Sequence, residues 1–269
     1  MATQDGFGAA FTEGFVEADG FRVRYMAAGE GPPLIHLHGA GGMNLARGHD
    51  LLSRHHHVIA FEMPGFGRSS ENTRTTSTAD LAETMAAAIR ALGIDRCNLW
   101  GTSFGARVAL WLAARQPELV AALVLEAPAA IRPDGQTPPS GSPEEIARMV
   151  YAHPERHAPL PAPDPAAQAQ TRAFVMRVRG PDRDADLEAA MRRLETPALV
   201  LFGTLDRLMP PQMGRHYKEL LPNSHLVFVY DAGHAISRER PEAFAEVTLD
   251  FLERHEAFVI NRVATLIHP

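Results

Sequence analysis

Short apolar runs alternate with segments of helical periodicity over the first half of the chain and again near its end. Apolar residues recur at helical spacing across residues 78–92, where Ser77 or Thr78 can cap the helix and Gly93 can end it. Apolar strands that alternate with such helices predict a mostly parallel sheet with helices on both faces. The predicted strands cover residues 33–38, 57–61, 97–100, 120–125, 197–203 and 226–230.

Two further patterns complete the predicted sheet domain. Residues 15–18 and 21–26 flank the turn dipeptide Asp19-Gly20, which predicts an antiparallel hairpin before the parallel strands. Helical spacing predicts a helix that ends near Arg115 and a closing helix over residues 241–254.

The alternation stops after Ala127. From residue 131 to about residue 193 the chain is rich in Pro, Ala and Arg, and no run has the character of a strand. We therefore predict an α/β core formed by residues 1–130 and 194–269, with a helical cap at residues 131–193 inserted after the sixth strand. Short cap helices are expected at residues 143–151, 165–178 and 184–194, and residues 257–269 are expected to fray or dock as a tail.

Length, charge and cysteine usage narrow the class of protein. The chain has 269 residues and a formal net charge of −6, so no basic face for nucleic acid or anionic lipid is expected. A single cysteine, Cys97, excludes an intrachain disulfide and favours a reducing cytoplasm. The first residues do not resemble a signal peptide, and no apolar stretch approaches the length of a membrane span. We expect a cytoplasmic monomer or homodimer that acts on a small molecule.

A candidate nucleophile lies between a predicted strand and a predicted helix, in Gly101-Thr102-Ser103-Phe104-Gly105. A serine on such a tight turn has strained backbone angles, and its hydroxyl projects clear of the sheet edge. The two glycines let the helix pack close to the strand. The strand–turn–helix context therefore favours a nucleophile elbow over an ordinary turn.

A serine nucleophile needs a base and an orienting carboxylate. His234 follows the last predicted strand and is the candidate base, and Asp206 follows the preceding strand and is the candidate acid. Catalytic groups of open α/β sheets gather at the carboxyl ends of the strands. The order Ser103, Asp206, His234 is the one that the elbow motif predicts. Glu126, at the end of the strand after the elbow helix, is the alternative acid.

The chain resembles the α/β-hydrolase superfamily over nearly all of its length outside the cap, which implies the α/β-hydrolase fold. Where the family usually has Asp two residues before the Pro of the Pro-Gly-x-Gly segment, this chain has Glu62, which we expect to support a loop. The motifs that carry the resemblance are the elbow at Ser103, His38-Gly39, residues 64–69, Gly203-x-x-Asp206 and Gly233-His234.

The resemblance also implies an oxyanion hole. One backbone N–H donor is expected at Phe104 and the other at Ala40, with Gly41 as the second choice, while His38 supports the loop. Arg107 is expected to be packed or paired. Candidate substrate-binding residues are Gly39, Gly41, Arg177 and Ala235, with Arg177 and Arg179 as a possible carboxylate clamp or simply surface charges.

These features predict a serine hydrolase that forms an acyl-enzyme and cleaves a small carboxylic ester or lactone without a metal or cofactor. The alternative is a carbon–carbon hydrolase of vinylogous diketones from aromatic degradation, which the Gly39-Ala40-Gly41-Gly42 loop and the size of the cap favour. Those enzymes resemble this chain but usually carry Met after the nucleophile and Trp after the histidine, where Phe104 and Ala235 stand here. A small-molecule receptor on the same scaffold is the alternative from another class.

Overall fold

The computed structural model describes residues 6–135, 141–157, 164–255, 258 and 266–267. Its strands are β1 (Thr12–Ala18), β2 (Phe21–Ala28), β3 (Pro33–Leu37), β4 (His57–Glu62), β5 (Cys97–Thr102), β6 (Val120–Glu126), β7 (Ala198–Gly203), β8 (Ser224–Val229) and β9 (Leu266–Ile267). Its α-helices are α1 (Arg47–Leu52), α2 (Thr78–Ala91), α3 (Phe104–Arg115), α4 (Pro143–Val150), α5 (Pro165–Val178), α6 (Ala185–Met191), α7 (Gly214–Leu220), α8 (Ile236–Glu239) and α9 (Pro241–Arg254).

The strands form one sheet in the order β1-β2-β4-β3-β5-β6-β7-β8-β9. Strands β3 to β8 pair in parallel, whereas β1, β2 and β9 pair in antiparallel fashion at the two ends. The β1–β2 hairpin turns at Asp19 and Gly20, both of which have positive φ. The predicted fold class, a mostly parallel sheet with covering helices, is confirmed.

Helices cover both faces of the sheet because successive strand residues point to opposite sides. On β5, Leu99 faces the layer that contains Ile89 of α2 and Val108 of α3. The next residue, Trp100, faces the layer that contains Phe244 of α9. All five side chains are fully buried, and each such burial contributes about 1.5–3 kcal/mol to folding.

The helical cap predicted after the sixth strand is present, because α4, α5 and α6 lie between β6 and β7 and no strand occurs among the residues of this insertion that the structure describes. Two buried arginines, Arg107 of α3 and Arg132 near the beginning of the insertion, hold its C-terminal part. Arg107 donates to the carbonyl of Pro181 at 3.1 Å and to the carboxylate of Asp184 at 2.5 Å. Arg132 donates to Asp182 and to the carbonyl of Gly180. The predicted packed or paired role of Arg107 is confirmed, whereas the two domain limits stay predictions.

Three short helices were absent from the predicted elements: α1, α7 and α8 contain six, seven and four residues. Most of the predicted tail lies outside the described residues, but Phe258 packs against Phe251 of α9, and β9 pairs with β8. Within the described ranges, no helix is long and apolar enough to cross a membrane.

Candidate active site

Ser103 lies on a strained turn between β5 and α3. Its φ is 53° and its ψ is −112°, a conformation that is costly for a residue with a side chain. Its amide donates to the carbonyl of Glu126 at 2.9 Å, and its carbonyl accepts from Ala106 and Ala129. A Cβ on Gly101 would lie 2.6 Å from the Cα of Ala106, so glycine lets α3 approach the strand. The local geometry is that of a nucleophile elbow.

His234 and Asp206 come together at the carboxyl edge of the sheet, after β8 and β7. The Nδ1 atom of His234 lies 2.8 Å from Oδ2 of Asp206. The other carboxylate oxygen, Oδ1, accepts from the amides of Leu208 at 2.8 Å and Met209 at 2.9 Å. Asp206 is thus fixed on both oxygens, and it can hold the imidazole with Nε2 free to accept a proton.

The charge around His234 favours its protonated form. Burial is the largest single influence on this histidine and lowers its pKa, but the charge and hydrogen bond of Asp206, together with the charges of Glu126 and Glu239, outweigh burial and raise the pKa above its usual value. A base of this kind is well suited to take a proton from a hydroxyl group.

Glu126, the alternative acid, has other partners. Its Oε2 accepts from Thr102 Oγ1 at 2.7 Å and from Trp100 Nε1 at 3.0 Å, and its Oε1 accepts from the amide of Ser237 at 2.7 Å. Burial raises the pKa of Glu126, while these donors oppose the shift. Asp206, not Glu126, therefore bonds to His234, and Glu126 links the elbow strand to the segment after His234.

A chain of buried histidines leads to Thr102, next to the nucleophile. The amide of Ala46 donates to Nδ1 of His49 at 3.1 Å, which places the proton of His49 on Nε2. This N–H faces Nδ1 of His36 at 2.9 Å, and Nε2 of His36 faces Thr102 Oγ1 at 3.1 Å. Burial lowers the pKa of His49 to about 3 and that of His36 well below its usual value. Both rings are neutral supports of the elbow.

The predicted oxyanion loop lies beside the nucleophile. A Cβ on Gly39 would lie 3.4 Å from the Cβ of Ser103, and Phe104 is the first residue of α3. His38 bridges this loop to the next one, because its Nδ1 lies 2.7 Å from the carbonyl of Gly39 and its Nε2 accepts from the amide of Met63. Burial lowers the pKa of His38 to about 4, so the ring is neutral. His38 has the supporting role that the resemblance implied.

Glu62 has the supporting role predicted for it in the Pro64–Ser69 segment. Its Oε2 accepts from the amide of Arg68 at 2.6 Å, and its Oε1 accepts from Arg24 at 3.1 Å. The loop then turns back under α5, where Phe174 meets Phe66 edge to face at a ring-centroid distance of 5.7 Å. Phe66 in turn lies 6.2 Å from Phe104. An aromatic cluster thus connects the cap to the residue after the nucleophile.

The remaining candidate residues have the following positions. Gly41 is exposed and Ala40 is half-buried in the loop, where the amide of Gly42 donates to the carbonyl of Gly39. Ala235 is half-buried at the start of α8. Arg177 donates to the carbonyls of Thr75 and Asn72. These bonds anchor α5 to the core, and a contact of Arg177 with substrate stays a prediction. Arg179 pairs with Asp182 at 2.8 Å.

Comparisons with known proteins agree with this geometry. The chain matches the family described as alpha/beta hydrolase fold over residues 32–164 and 166–241, which is more than half of its length. The protein is a hydrolase, and it belongs to the alpha/beta hydrolase fold family. Among the described residues, no group of three or more His, Cys, Asp or Glu side chains is placed to hold a metal ion.

Its relatives include hydrolases of two kinds. A 2-hydroxy-6-oxo-6-(2'-aminophenyl)hexa-2,4-dienoic acid hydrolase of Metapseudomonas resinovorans is 28% identical over 91% of this chain and 92% of the relative. A pimeloyl-[acyl-carrier protein] methyl ester esterase of Neisseria meningitidis is 30% identical over 73% of this chain and 82% of the relative. The meta-cleavage product hydrolase of Pseudomonas fluorescens has the same fold, with a TM-score of 0.78 at 22% identity over 89% of this chain and 97% of that one.

Proposed function

We propose that the protein is a serine hydrolase that cleaves a small carboxylic ester or lactone through an acyl-enzyme. The observation that carries this proposal is the strained Ser103 at the sheet edge, together with the 2.8 Å contact between His234 and Asp206 after the two neighbouring strands. His234 takes the proton of Ser103 as the hydroxyl attacks the carbonyl, and Asp206 stabilises the resulting imidazolium. His234 then passes this proton to the oxygen of the departing alcohol as the ester C–O bond breaks, which leaves the acyl-enzyme. Water deprotonated by His234 attacks the acyl-enzyme, and the acid is released as the proton returns to Ser103.

The negative charge of the tetrahedral intermediate would be held by the amides of Phe104 and Ala40. Phe104 begins α3, so its N–H precedes the hydrogen-bonded part of the helix and the positive end of the helix dipole supports it. Ala40 lies one residue after Gly39, which approaches Ser103 closely. Losing one such donor typically costs about 3–4 kcal/mol of transition-state stabilisation.

Two features support an uncharged acyl group. Phe66, Phe104 and Phe174 form an apolar cluster next to the oxyanion loop. The guanidinium groups of Arg107 and Arg177 donate to main-chain carbonyls, which favours structural work over binding of a substrate carboxylate. The cellular compartment is a separate part of the proposal. Cys97 is a single, buried and unpaired cysteine, which is in keeping with an enzyme of the reducing cytoplasm.

Carbon–carbon bond hydrolysis is the second candidate. The relative that acts on a hexa-2,4-dienoic acid aligns over nearly its whole length, and the loop Gly39-Ala40-Gly41-Gly42 is glycine-rich, as the resemblance to such enzymes implies. Phe104 and Ala235 stand where those enzymes usually carry Met and Trp, which favours hydrolysis of an ester or lactone.

Steady-state kinetics on a chain-length series of p-nitrophenyl esters, γ-lactones and a vinylogous 1,5-diketone distinguishes the two candidates. We expect the highest kcat/KM on a short ester or lactone, and loss of turnover in Ser103→Ala with an unchanged circular dichroism spectrum. A higher kcat/KM on the diketone would replace the ester proposal with the second candidate. Near wild-type turnover in Ser103→Ala would contradict both.

A further inference from the structure

The carboxylate of Glu239, at the end of α8, joins two distant parts of the backbone. Its Oε2 accepts from the amide of Gly233 at 2.6 Å. Its Oε1 accepts from the amides of Ala152 at 2.8 Å and His153 at 3.3 Å, which follow α4 in the cap. The side chain is only 3% exposed. One buried carboxylate therefore holds together the residue before His234 and the segment that follows α4 in the cap.

The same two segments also meet directly. The amide of His234 donates to the carbonyl of Val150 at 2.8 Å. A Cβ on Gly233 would lie 2.6 Å from the amide nitrogen of Ala152 and 2.8 Å from the carbonyl oxygen of Val150. Only a glycine allows this approach without a shift of the backbone. Residues 150–153, here named the cap strap, thus lie against the main chain of the candidate base.

We propose that Glu239 is a positioning residue that fixes His234 through the cap strap, so that the placement of the cap and the alignment of the base are coupled. Asp206 orients the ring of His234, whereas its main chain is held by Val150 and, through Gly233, by Glu239. The inference rests on the proposed role of His234 as the base. A displacement of about 1 Å at a reacting group can cost about 100-fold in rate.

The charge of Glu239 gives this proposal a signature that packing alone lacks. The carboxylate is one of the anions that raise the pKa of His234. Burial raises the pKa of Glu239 itself, whereas its three amide donors oppose the shift. The titratable groups that face Glu239 are His153 and His157 of the cap and His234. The Nε2 atom of His157 lies 3.8 Å from Oε1 of Glu239. Neutralising Glu239 should therefore lower the pKa of His234.

The test uses the rate at which a fluorophosphonate modifies Ser103, since this reaction needs an aligned base but no particular ester. The Oγ atom forms a bond to phosphorus, fluoride leaves, and the hydroxyl proton passes to His234. Glu239→Gln keeps the shape but turns an NH₂ group toward an N–H donor. We expect its inactivation rate to fall about 10- to 100-fold and the acid limb of its pH profile to move to lower pH.

The control is Glu242→Gln, the same change three residues after Glu239. Glu242 is exposed and pairs with Arg47. It should react at the wild-type rate. Glu239→Asp keeps the charge but is too short to reach both segments, so its rate should fall while its acid limb stays near that of the wild type. This variant also serves if Glu239→Gln fails to fold.

Hydrogen exchange measured by mass spectrometry locates the effect. In folded Glu239→Gln, the peptides that contain the cap strap and Gly233-His234 should exchange faster together, and those of β5 should not change. A folded Glu239→Gln that reacts at the wild-type rate with an unmoved acid limb would overturn the proposal. If the wild type reacts with the fluorophosphonate but turns over no ester or lactone, the proposed function fails while the coupling remains testable.

Discussion

The Oδ2 atom of Asp206 lies 2.8 Å from Nδ1 of His234, while Oδ1 accepts two backbone amides. This arrangement fixes the carboxylate before the imidazole is charged. Glu126, the other carboxylate at this edge of the sheet, is also saturated with donors, but it bonds to Ser237 and the elbow strand. The two carboxylates should therefore differ sharply when each is neutralised.

Asp206→Asn should lower kcat by about 10⁴-fold, since an amide at this position favours the wrong tautomer of His234. Glu126→Gln should lower kcat far less, because its carboxylate has no bond to the ring. Removing the Asp206 anion also lowers the pKa of His234, so the remaining activity should titrate at lower pH. Parallel kcat and pH measurements on both variants check this, and a larger loss at Glu126 would make that residue the acid.

The buried neutral histidines make the free energy of unfolding depend on pH. His49 is neutral in the folded state because its pKa is lowered to about 3, whereas an unfolded histidine titrates near its ordinary 6.5. Below that pH the unfolded chain binds more protons, so stability falls as pH falls, by up to about 1.4 kcal/mol per pH unit for each such group. The dependence continues until the folded pKa is reached.

Urea unfolding of the wild type and of His49→Gln at several pH values between 6.5 and 4 measures the contribution of His49 to this pH dependence. The variant should be less stable at neutral pH but should lose stability less steeply on acidification. The raised pKa of His234 acts in the opposite direction in both proteins and cancels in the comparison. Equal slopes would contradict the assignment of His49 as a buried neutral ring.

Asp184 supports the charge of a buried arginine. Arg107 is 1% exposed and Asp184 is 20% exposed, and burial lowers the pKa of Arg107 only to about 10, so it stays charged at neutral pH. Asp184→Asn should cost about 3 kcal/mol, since it leaves a buried cation without its partner. Asp184 is also the N-cap of α6, and Asp164→Asn makes the same change at the N-cap of α5, where it should cost a few tenths of a kcal/mol at most. Thermal and urea unfolding compare the two; equal effects would show that capping, not charge, dominates.

Gly105 lets α3 begin directly against β3. A Cβ there would overlap the carbonyl oxygen of Leu37 and lie 2.5 Å from that of His38, and backbone atoms cannot yield as side chains do. Gly105→Ala should lower the free energy of unfolding by about 1–3 kcal/mol. The matched variant Gly41→Ala meets no atom within 4 Å and should leave it unchanged. Similar stability of the two variants in urea would refute the close approach.

Sequence patterning predicts the long elements well because each carries its own signals. The bounds of α5 and α9 match the predicted ones at both ends, and each begins with a proline at its first turn. Helices α1, α7 and α8 were not predicted, since they are too short to show a periodic face. Their stability comes from packing, which a local pattern does not contain.

The candidate site divides in the same way. Ser103, Asp206 and His234 stand in short motifs after strands, so their type and order are visible along the chain. The sequence did not show the structural roles of three other residues, Glu239, Glu126 and His49, because the fold brings their partners near. The amide of Ala152, for example, is 87 residues from Glu239. A carboxylate that collects backbone amides leaves no motif in the sequence.

Cys97 gives the molecule a practical property. The only thiol of the chain begins β5 inside the core, and burial raises its pKa to about 12, so it forms almost no thiolate at neutral pH. Maleimide reagents therefore have no native target in the folded protein. Met176→Cys, at a position that is 44% exposed on α5, would take up a single fluorophore or spin label, so that the environment of the cap could be followed spectroscopically without first removing a native cysteine.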